Sequence, residues 1–224
     1  MKRADLGRRG NYGALFRNGT MDFLAGWLLG CSQLGGLSPG ALLHTFARIT
    51  DGDPRSWVDA FARAADATTA RAEAASDPVV AAGAWLAATT AERAALMLQD
   101  PRTPNAEAAR ARAAEAFEAF LRSSGVPLEP WAIPFAGESL PGYVSTDLTR
   151  TRPLVVVVGG GDTSAEDLWF LGGGAFIEAG YAVLLVDLPG QGSTPADGLH
   201  FGPATLDGFW AVLDAVRGRG FGGD

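Results

Sequence analysis

One stretch carries most of the information about architecture: Leu154-Val155-Val156-Val157-Val158-Gly159-Gly160-Gly161-Asp162-Thr163-Ser164. Its first five residues are an apolar run dominated by β-branched side chains, which predicts a parallel strand buried on both faces. The glycines follow, and then a predicted helix over 165–179. A second apolar strand over 181–187 and a helix over 204–217 repeat the alternation. An α/β fold with a parallel sheet is therefore expected.

The chain upstream of Val126-Pro127 is rich in alanine and helical in character. Four dipeptides there place a capping side chain before a proline: Ser38-Pro39, Asp53-Pro54, Asp77-Pro78 and Thr103-Pro104. The capping oxygen accepts a hydrogen bond from an unpaired N–H, and proline at the first helical position loses no useful donor. The pattern predicts helices over 20–34, 39–50, 54–76, 78–99 and 104–123.

Between these two regions the pattern favours a hairpin. Its strands are predicted over 131–135 and 140–145, joined across Gly137-Glu138-Ser139. Pro134 and Pro141 confine both strands to an edge, because proline cannot donate to a central ladder. The chain thus divides into a basic, flexible tail over 1–17, a helical domain over 18–127 and a sheet region over 128–224.

Composition excludes several classes of protein. The 224 residues carry a net charge of -7, which argues against a nucleic-acid partner. One Cys and 2 His are too few for a disulfide framework or a structural zinc site, and no metal is expected. No apolar run is long enough to span a membrane. A secretory signal ending at Cys31 is disfavoured, because Asp22 heads its short apolar run, and a cytoplasmic location is expected.

The glycine loop is the first candidate for chemistry. Without Cβ atoms its backbone can turn sharply and present N–H groups to an anion or a developing oxyanion. A dinucleotide site is the alternative, but Gly159-x-Gly161-x-x-Ser164 lacks the third glycine, and Asp187 lies further along than the expected acid. A phosphate-binding P-loop is excluded because no Gly-Lys-Ser/Thr follows.

Nucleophile and base candidates are weak. The pattern Gly36-Leu37-Ser38-Pro39-Gly40 is the one Gly-x-Ser-x-Gly in the chain. It is rejected as a nucleophile elbow, because the residue after the serine must donate its N–H and proline has none. His44 and His200 have no nearby acid at a recognisable spacing, so either is more simply a packed or solvated side chain.

Two motifs carry a family resemblance: Gly159-Gly160-Gly161-Asp162-Thr163-Ser164-Ala165-Glu166-Asp167, and Gly180-Tyr181 through the Asp187-Leu188-Pro189-Gly190-Gln191-Gly192 turn. They resemble the α/β-hydrolase superfamily, and more narrowly the branch of FrsA-like esterases and 2,6-dihydroxypseudooxynicotine hydrolase. That resemblance implies a helical cap followed by the N-terminal half of a hydrolase domain over 128–224, with an incomplete sheet. It also implies that the backbone N–H of Gly161 or Asp162 forms part of an oxyanion hole, with Gly160 beside the substrate. No cofactor is implied.

The expected triad is not found in these 224 residues. The resemblance places the nucleophile, acid and histidine after a further strand, whereas residues 219–224 read as a linker and His200 precedes the expected elbow. Three readings stay open. The chain belongs to a serine hydrolase whose small-molecule pocket is walled by Trp27, Phe46 or Trp169. It is a triad-less lyase, cyclase or binding protein with His200, Asp162 and Asp187 as acid/base candidates, or it is a non-catalytic remnant. An open sheet edge suggests a homo-oligomer or a complementing C-terminal chain as partner.

Overall fold

The computed structural model describes residues 13–146 and 152–220. The chain divides after Ser124 into two compact units, a helical unit and a sheet unit. The helical unit contains α1 (Gly19–Cys31), α2 (Pro39–Phe46), α3 (Pro54–Ala74), α4 (Pro78–Leu96) and α5 (Pro104–Ser124). Residues 1–12, most of the predicted tail, lie outside the described residues.

Four of these helices begin at the predicted prolines. The side chains of Ser38, Asp53 and Asp77 accept hydrogen bonds from the first turn of α2, α3 and α4. Thr103 Oγ1 accepts from the N–H of Ala106 in the same way at the start of α5. The predicted C-terminal ends of the helices agree less well with the structure. α2 ends at Phe46 rather than near residue 50, and residues 32–34 form a separate 3₁₀ turn after α1.

Aromatic rings fill the core of the helical unit. Trp57 and Phe61, one turn apart on α3, have ring centroids 4.9 Å apart and are fully buried. Phe46 stacks on Trp57, and Phe16 meets Phe46 edge to face. The indole N–H of Trp57 donates to the carbonyl of Ala94 on α4 at 2.8 Å, so the buried polar group is satisfied.

Two aspartates bind the segment that precedes α1. The buried carboxylate of Asp22 accepts the backbone N–H groups of residues 13–16 at 2.6–3.2 Å. Asp51 accepts the next two, from Arg17 and Asn18, at 3.0 and 2.9 Å. The described part of the predicted flexible tail, residues 13–17, is thus a fixed strap. Basic composition alone could not reveal this, because backbone N–H groups make the contacts.

The sheet unit contains β1 (Leu128–Phe135), β2 (Glu138–Ser145), β3 (Leu154–Val157) and β4 (Ala182–Val186), in the order β1-β2-β4-β3. β1 pairs with β2 and β2 with β4 in antiparallel fashion, while β3 and β4 are parallel. The sheet is therefore mixed rather than parallel throughout. Of the described strands, only β3 and β4 form the predicted crossover pair.

The hairpin between β1 and β2 differs from the prediction in its turn. Phe135 pairs with Glu138, so the loop is the two residues Ala136 and Gly137, both at positive φ (52° and 88°). Such a turn matches the twist of the flanking strands. Placing Pro141 in an edge strand was also wrong, because β2 lies inside the sheet. Its ladder with β4 covers only Gly142 to Val144, so Pro141 sits one residue beyond that ladder.

Two further predictions about the crossover were wrong. β3 is half-exposed at every position, whereas β4 is buried throughout, because the described strands cover β3 on one side only. The helix predicted over 165–179 is two pieces, a 3₁₀ turn over Asp167–Trp169 and α6 (Gly173–Glu178). Gly172 lies between them directly before α6, and its φ of 136° is outside the helical region. α7 (Ala204–Gly218) follows β4 and buries Val212 and Val216.

Candidate active site

The loop that follows β3 carries backbone N–H groups on exposed residues. Gly160, Gly161 and Asp162 are exposed. Among the described residues, the N–H groups of Gly160 and Gly161 have no hydrogen-bond acceptor. The loop lies at the C-terminal end of a strand that runs parallel to its neighbour, the usual place for a ligand in an open α/β sheet. These donors are therefore available to an anion or a polarised carbonyl oxygen.

Gln191 holds the loop from the neighbouring turn. The residue is 3 % exposed. Its side-chain N–H donates to the carbonyl of Gly159, and its Oε1 accepts the N–H of Leu188 at 2.9 Å. A second link joins the same two loops, because the N–H of Gly192 donates to the carbonyl of Thr163 at 3.0 Å. The turn after β4 thus fixes the backbone that carries the candidate donors.

The far end of the glycine loop is anchored by carboxylates. Asp167 Oδ2 accepts the N–H of Ser164 at 3.0 Å, the contact that the third residue of a capping box makes to the residue at its start. The hydroxyl of Ser164 instead donates to the buried carboxylate of Glu166, which also accepts the Tyr143 hydroxyl at 2.9 Å. A serine tied to Glu166 in this way serves to position the loop.

Phe201 lies against the glycine loop. A Cβ atom built on Gly161 would lie 2.7 Å from Phe201 Cε2, and one on Gly190 would lie 2.5 Å from Phe201 Cγ. The ring therefore rests on two glycines from two different loops, and 56 % of the residue stays exposed. Its neighbour His200, the predicted acid/base candidate, is exposed beside it. No spacing in the sequence signalled Phe201 or the clamping role of Gln191.

The predicted pocket walls fall into both units. Trp169 is half-buried in the 3₁₀ turn after the glycine loop, where its ring packs over Gly174. Trp27 and Phe46 belong to the helical unit. Trp27 packs against the edge of that unit's core, and Phe46 is 6 % exposed within it. Their roles as substrate contacts stay predictions.

Within residues 13–146 and 152–220, no three Cys, His, Asp or Glu side chains cluster in a way that would hold a metal ion. In the same part of the chain, every helix is too short or too polar to cross a bilayer.

The chain is similar to proteins that are named hydrolases. The chain is 34 % identical over 207 residues to hydrolase LUC6 of a Fusarium species, covering 86 % of this chain and 49 % of that protein. It is 30 % identical over 186 residues to the α/β-hydrolase xenA of Xenoacremonium sinensis, covering 76 % and 42 %. The chain is a relative of the α/β-hydrolases. It spans about half the length of the curated relatives it matches.

A further relative is named for its reaction. The 20-hydroxy-prefusarin hydrolase FUS2 of Gibberella moniliformis is 33 % identical over 176 residues, covering 74 % of this chain and 42 % of that protein. No family model matches the chain.

Solved structures share the fold of this α/β-hydrolase relative. AbyA5 superposes with a TM-score of 0.65 at 24 % identity, covering 87 % of this chain and 51 % of that one. The 2,6-dihydroxy-pseudo-oxynicotine hydrolase superposes with a TM-score of 0.59 at 22 % identity, covering 73 % and 46 %. The resemblance read from the two glycine motifs is confirmed, and so is the reading of a helical region followed by part of an α/β-hydrolase sheet.

Proposed function

We propose that this chain supplies the oxyanion-binding half of a serine hydrolase active site. The observation that carries the proposal is the pair of N–H groups on the exposed residues Gly160 and Gly161, which have no acceptor among the described residues. Donors fixed in advance at the place where negative charge develops stabilise the transition state of acyl transfer, and each is worth about 10²–10³ in rate. The names of the relatives, all hydrolases, support the same class.

The proposed reaction is hydrolysis of an ester, an amide or an activated C–C bond of a small molecule through an acyl-enzyme. A nucleophile, a general base and an acid are needed besides the oxyanion donors. We place those three outside these 224 residues, on a later segment or on a complementing chain. Gly161 and Gly160 supply the proposed donors, and Asp162 is next along the loop.

An active-site label tests the proposal. The chain would be produced alone and joined to the sequence that follows codon 224 in its source genome, and both would be treated with a fluorophosphonate. We expect the longer protein to be labelled at a serine in a Gly-x-Ser-x-Gly motif beyond Asp224. Replacing that serine by alanine should abolish labelling, whereas Ser38→Ala, the matched control within this chain, should leave it unchanged.

Three outcomes would overturn the proposal. One is an in-frame stop directly after codon 224 with no hydrolase sequence nearby. Another is a longer protein that no fluorophosphonate labels. The third is turnover by the 224-residue chain alone that is lost in His200→Ala, which would favour the triad-less lyase or cyclase.

A further inference from the structure

Phe201 is an exposed aromatic side chain held in one place. The backbone on either side of it is tied down, because the N–H of Gly190 donates to the carbonyl of Leu199 at 2.9 Å. On the other side, Thr205 Oγ1 accepts the N–H of Gly202 at 3.2 Å and donates to the carbonyl of Pro189 at 3.2 Å. The ring is therefore fixed over the glycine loop while much of it faces solvent.

The contact exists only because Gly161 and Gly190 lack side chains. Any Cβ at either position would meet the Phe201 ring at 2.5–2.7 Å, well inside van der Waals contact. One part of the ring is thus seated on backbone beside the candidate donors, and the remaining 56 % of the residue is open. An apolar ring fixed next to unpaired N–H groups combines the two elements of a small-molecule site, an apolar wall and a few placed polar groups.

We propose that Phe201 is a specificity-determining residue that favours substrates with a flat, unsaturated group next to the reacting carbonyl. The carbonyl oxygen binds at the N–H groups of Gly160 and Gly161, and the aromatic or conjugated group lies on the open part of the Phe201 ring. Aromatic rings attract other π systems in offset or edge-to-face arrangements beyond the effect of buried area. A saturated group of equal size lacks this attraction between π systems. This inference rests on the proposed oxyanion loop.

A pair of carboxylate probes tests it on the full chain. Benzoate and cyclohexanecarboxylate each carry one carboxylate, which stands in for the oxyanion, and one six-membered ring, which is flat in benzoate only. Titrations of ¹⁵N-labelled protein would follow the amide signals of Gly160 and Gly161. We expect both probes to shift these signals, with a Kd for benzoate about 2–10-fold lower.

Variants assign the preference to the ring. Phe201→Leu should bring the two Kd values to within experimental error of each other, and Phe201→Tyr should keep the preference. Trp210→Leu, an exposed aromatic residue on α7, is the matched control and should leave the ratio unchanged. Nuclear Overhauser contacts between benzoate protons and the Phe201 ring, measured on the unsubstituted chain, check the placement without any substitution.

The outcomes separate the two proposals. Suppose that both probes shift the amide signals of Gly160 and Gly161. If the two probes then have equal Kd values, or if Phe201→Leu leaves the ratio of their Kd values unchanged, the role of Phe201 is overturned and the proposed oxyanion loop stands. If neither probe moves these amides, both proposals fall.

Discussion

The side chain of Gln191 donates to the carbonyl of Gly159, across 32 residues of sequence. The parallel pairing of β3 with β4 sets Val157 beside Leu185, so the loops that leave these strands begin side by side. Gln191 uses that proximity to join them. The glycine loop is therefore held by the turn after β4 as well as by its own residues.

Replacing Gln191 by alanine should destabilise the sheet unit. The substitution leaves the buried N–H of Leu188 and the carbonyl of Gly159 without their partners, at a cost of about 1–3 kcal/mol. Urea unfolding, followed by hydrogen exchange of the β4 amides, would measure the loss. Gln33→Ala makes the same chemical change at an exposed side chain and should change the free energy of unfolding by less than about 0.5 kcal/mol. Equal effects of the two substitutions would show that the hydrogen bonds of Gln191 to Gly159 and Leu188 do not stabilise the sheet unit.

Local signals in the sequence predicted most of the elements. A capping side chain before a proline fixes where a helix begins, and a β-branched apolar run fixes a strand, because both effects act within a few residues. The interruption of the predicted helix at Gly172 was not predicted, although the run Gly172-Gly173-Gly174 lies within it. A Cβ built on the adjacent Gly173 would lie 2.7 Å from Leu185 Cδ2 on β4, so the path there depends on packing against the sheet.

The candidate site was predicted only in part. The run Gly159-Gly160-Gly161 pointed to backbone donors because it is a local motif. The contacts of Gln191 and Phe201 with that loop depend on which strands become neighbours, and a single sequence does not state strand order. The same limit explains Pro141, whose place inside the sheet follows from β2 pairing with β4.

The seat of Phe201 on Gly161 predicts a coupling between the two residues. Gly161→Ala should cost about 1–3 kcal/mol in unfolding free energy, because the new methyl group would meet Phe201 Cε2 at 2.7 Å. In a Phe201→Ala background the same change should cost much less, and the difference is the coupling energy. Gly160→Ala is the matched control, since its nearest neighbour would be Asp162 Oδ1 at an ordinary 3.5 Å. Additive effects of Gly161→Ala and Phe201→Ala would show that the ring does not rest there.

Asp22 should make the helical unit sensitive to acid. Burial raises the pKa of its carboxyl, but hydrogen bonds from the N–H groups of residues 13–16 outweigh that effect and lower the pKa below its ordinary value. A depressed folded-state pKa contributes stability above the unfolded value of about 3.9, and this is lost as pH falls through the folded value. Asp22→Asn should therefore be less stable at pH 7 by about 1–2 kcal/mol.

The pH dependence separates this carboxylate from others. Urea midpoints read by circular dichroism at 222 nm should differ most between the native chain and Asp22→Asn at neutral pH, and converge as pH falls below about 4. Asp66→Asn removes an exposed carboxylate from α3 and should change the urea midpoint at neutral pH only slightly. If the difference in urea midpoint between the native chain and Asp22→Asn stayed the same down to pH 3, the stabilising role of the ionised Asp22 carboxylate would be contradicted.

Arg112 and Arg102 form ion pairs whose acidic partners differ in burial, and we expect the two pairs to contribute differently to the free energy of unfolding. Arg112 Nε and Nη2 bond both oxygens of Glu92 at 2.7 and 3.0 Å, and Glu92 is buried with 4 % of its side chain exposed. This hydrogen-bonded carboxylate raises the pKa of Arg112. Arg112→Met leaves the buried carboxylate of Glu92 without its partner and should lower the free energy of unfolding by about 1–3 kcal/mol.

Arg102 makes the same two-pronged contact to Asp100, and hydrogen bonds from Arg102 lower the pKa of that carboxyl to about 2. Its side chain is 87 % exposed, so water replaces it readily and Arg102→Met should leave the urea midpoint unchanged. Because the two substitutions are chemically identical, a difference in their effects reports the burial of Glu92. Equal effects of Arg112→Met and Arg102→Met would show that water replaces Arg112 at the Glu92 carboxylate, and would contradict the role given to the burial of Glu92.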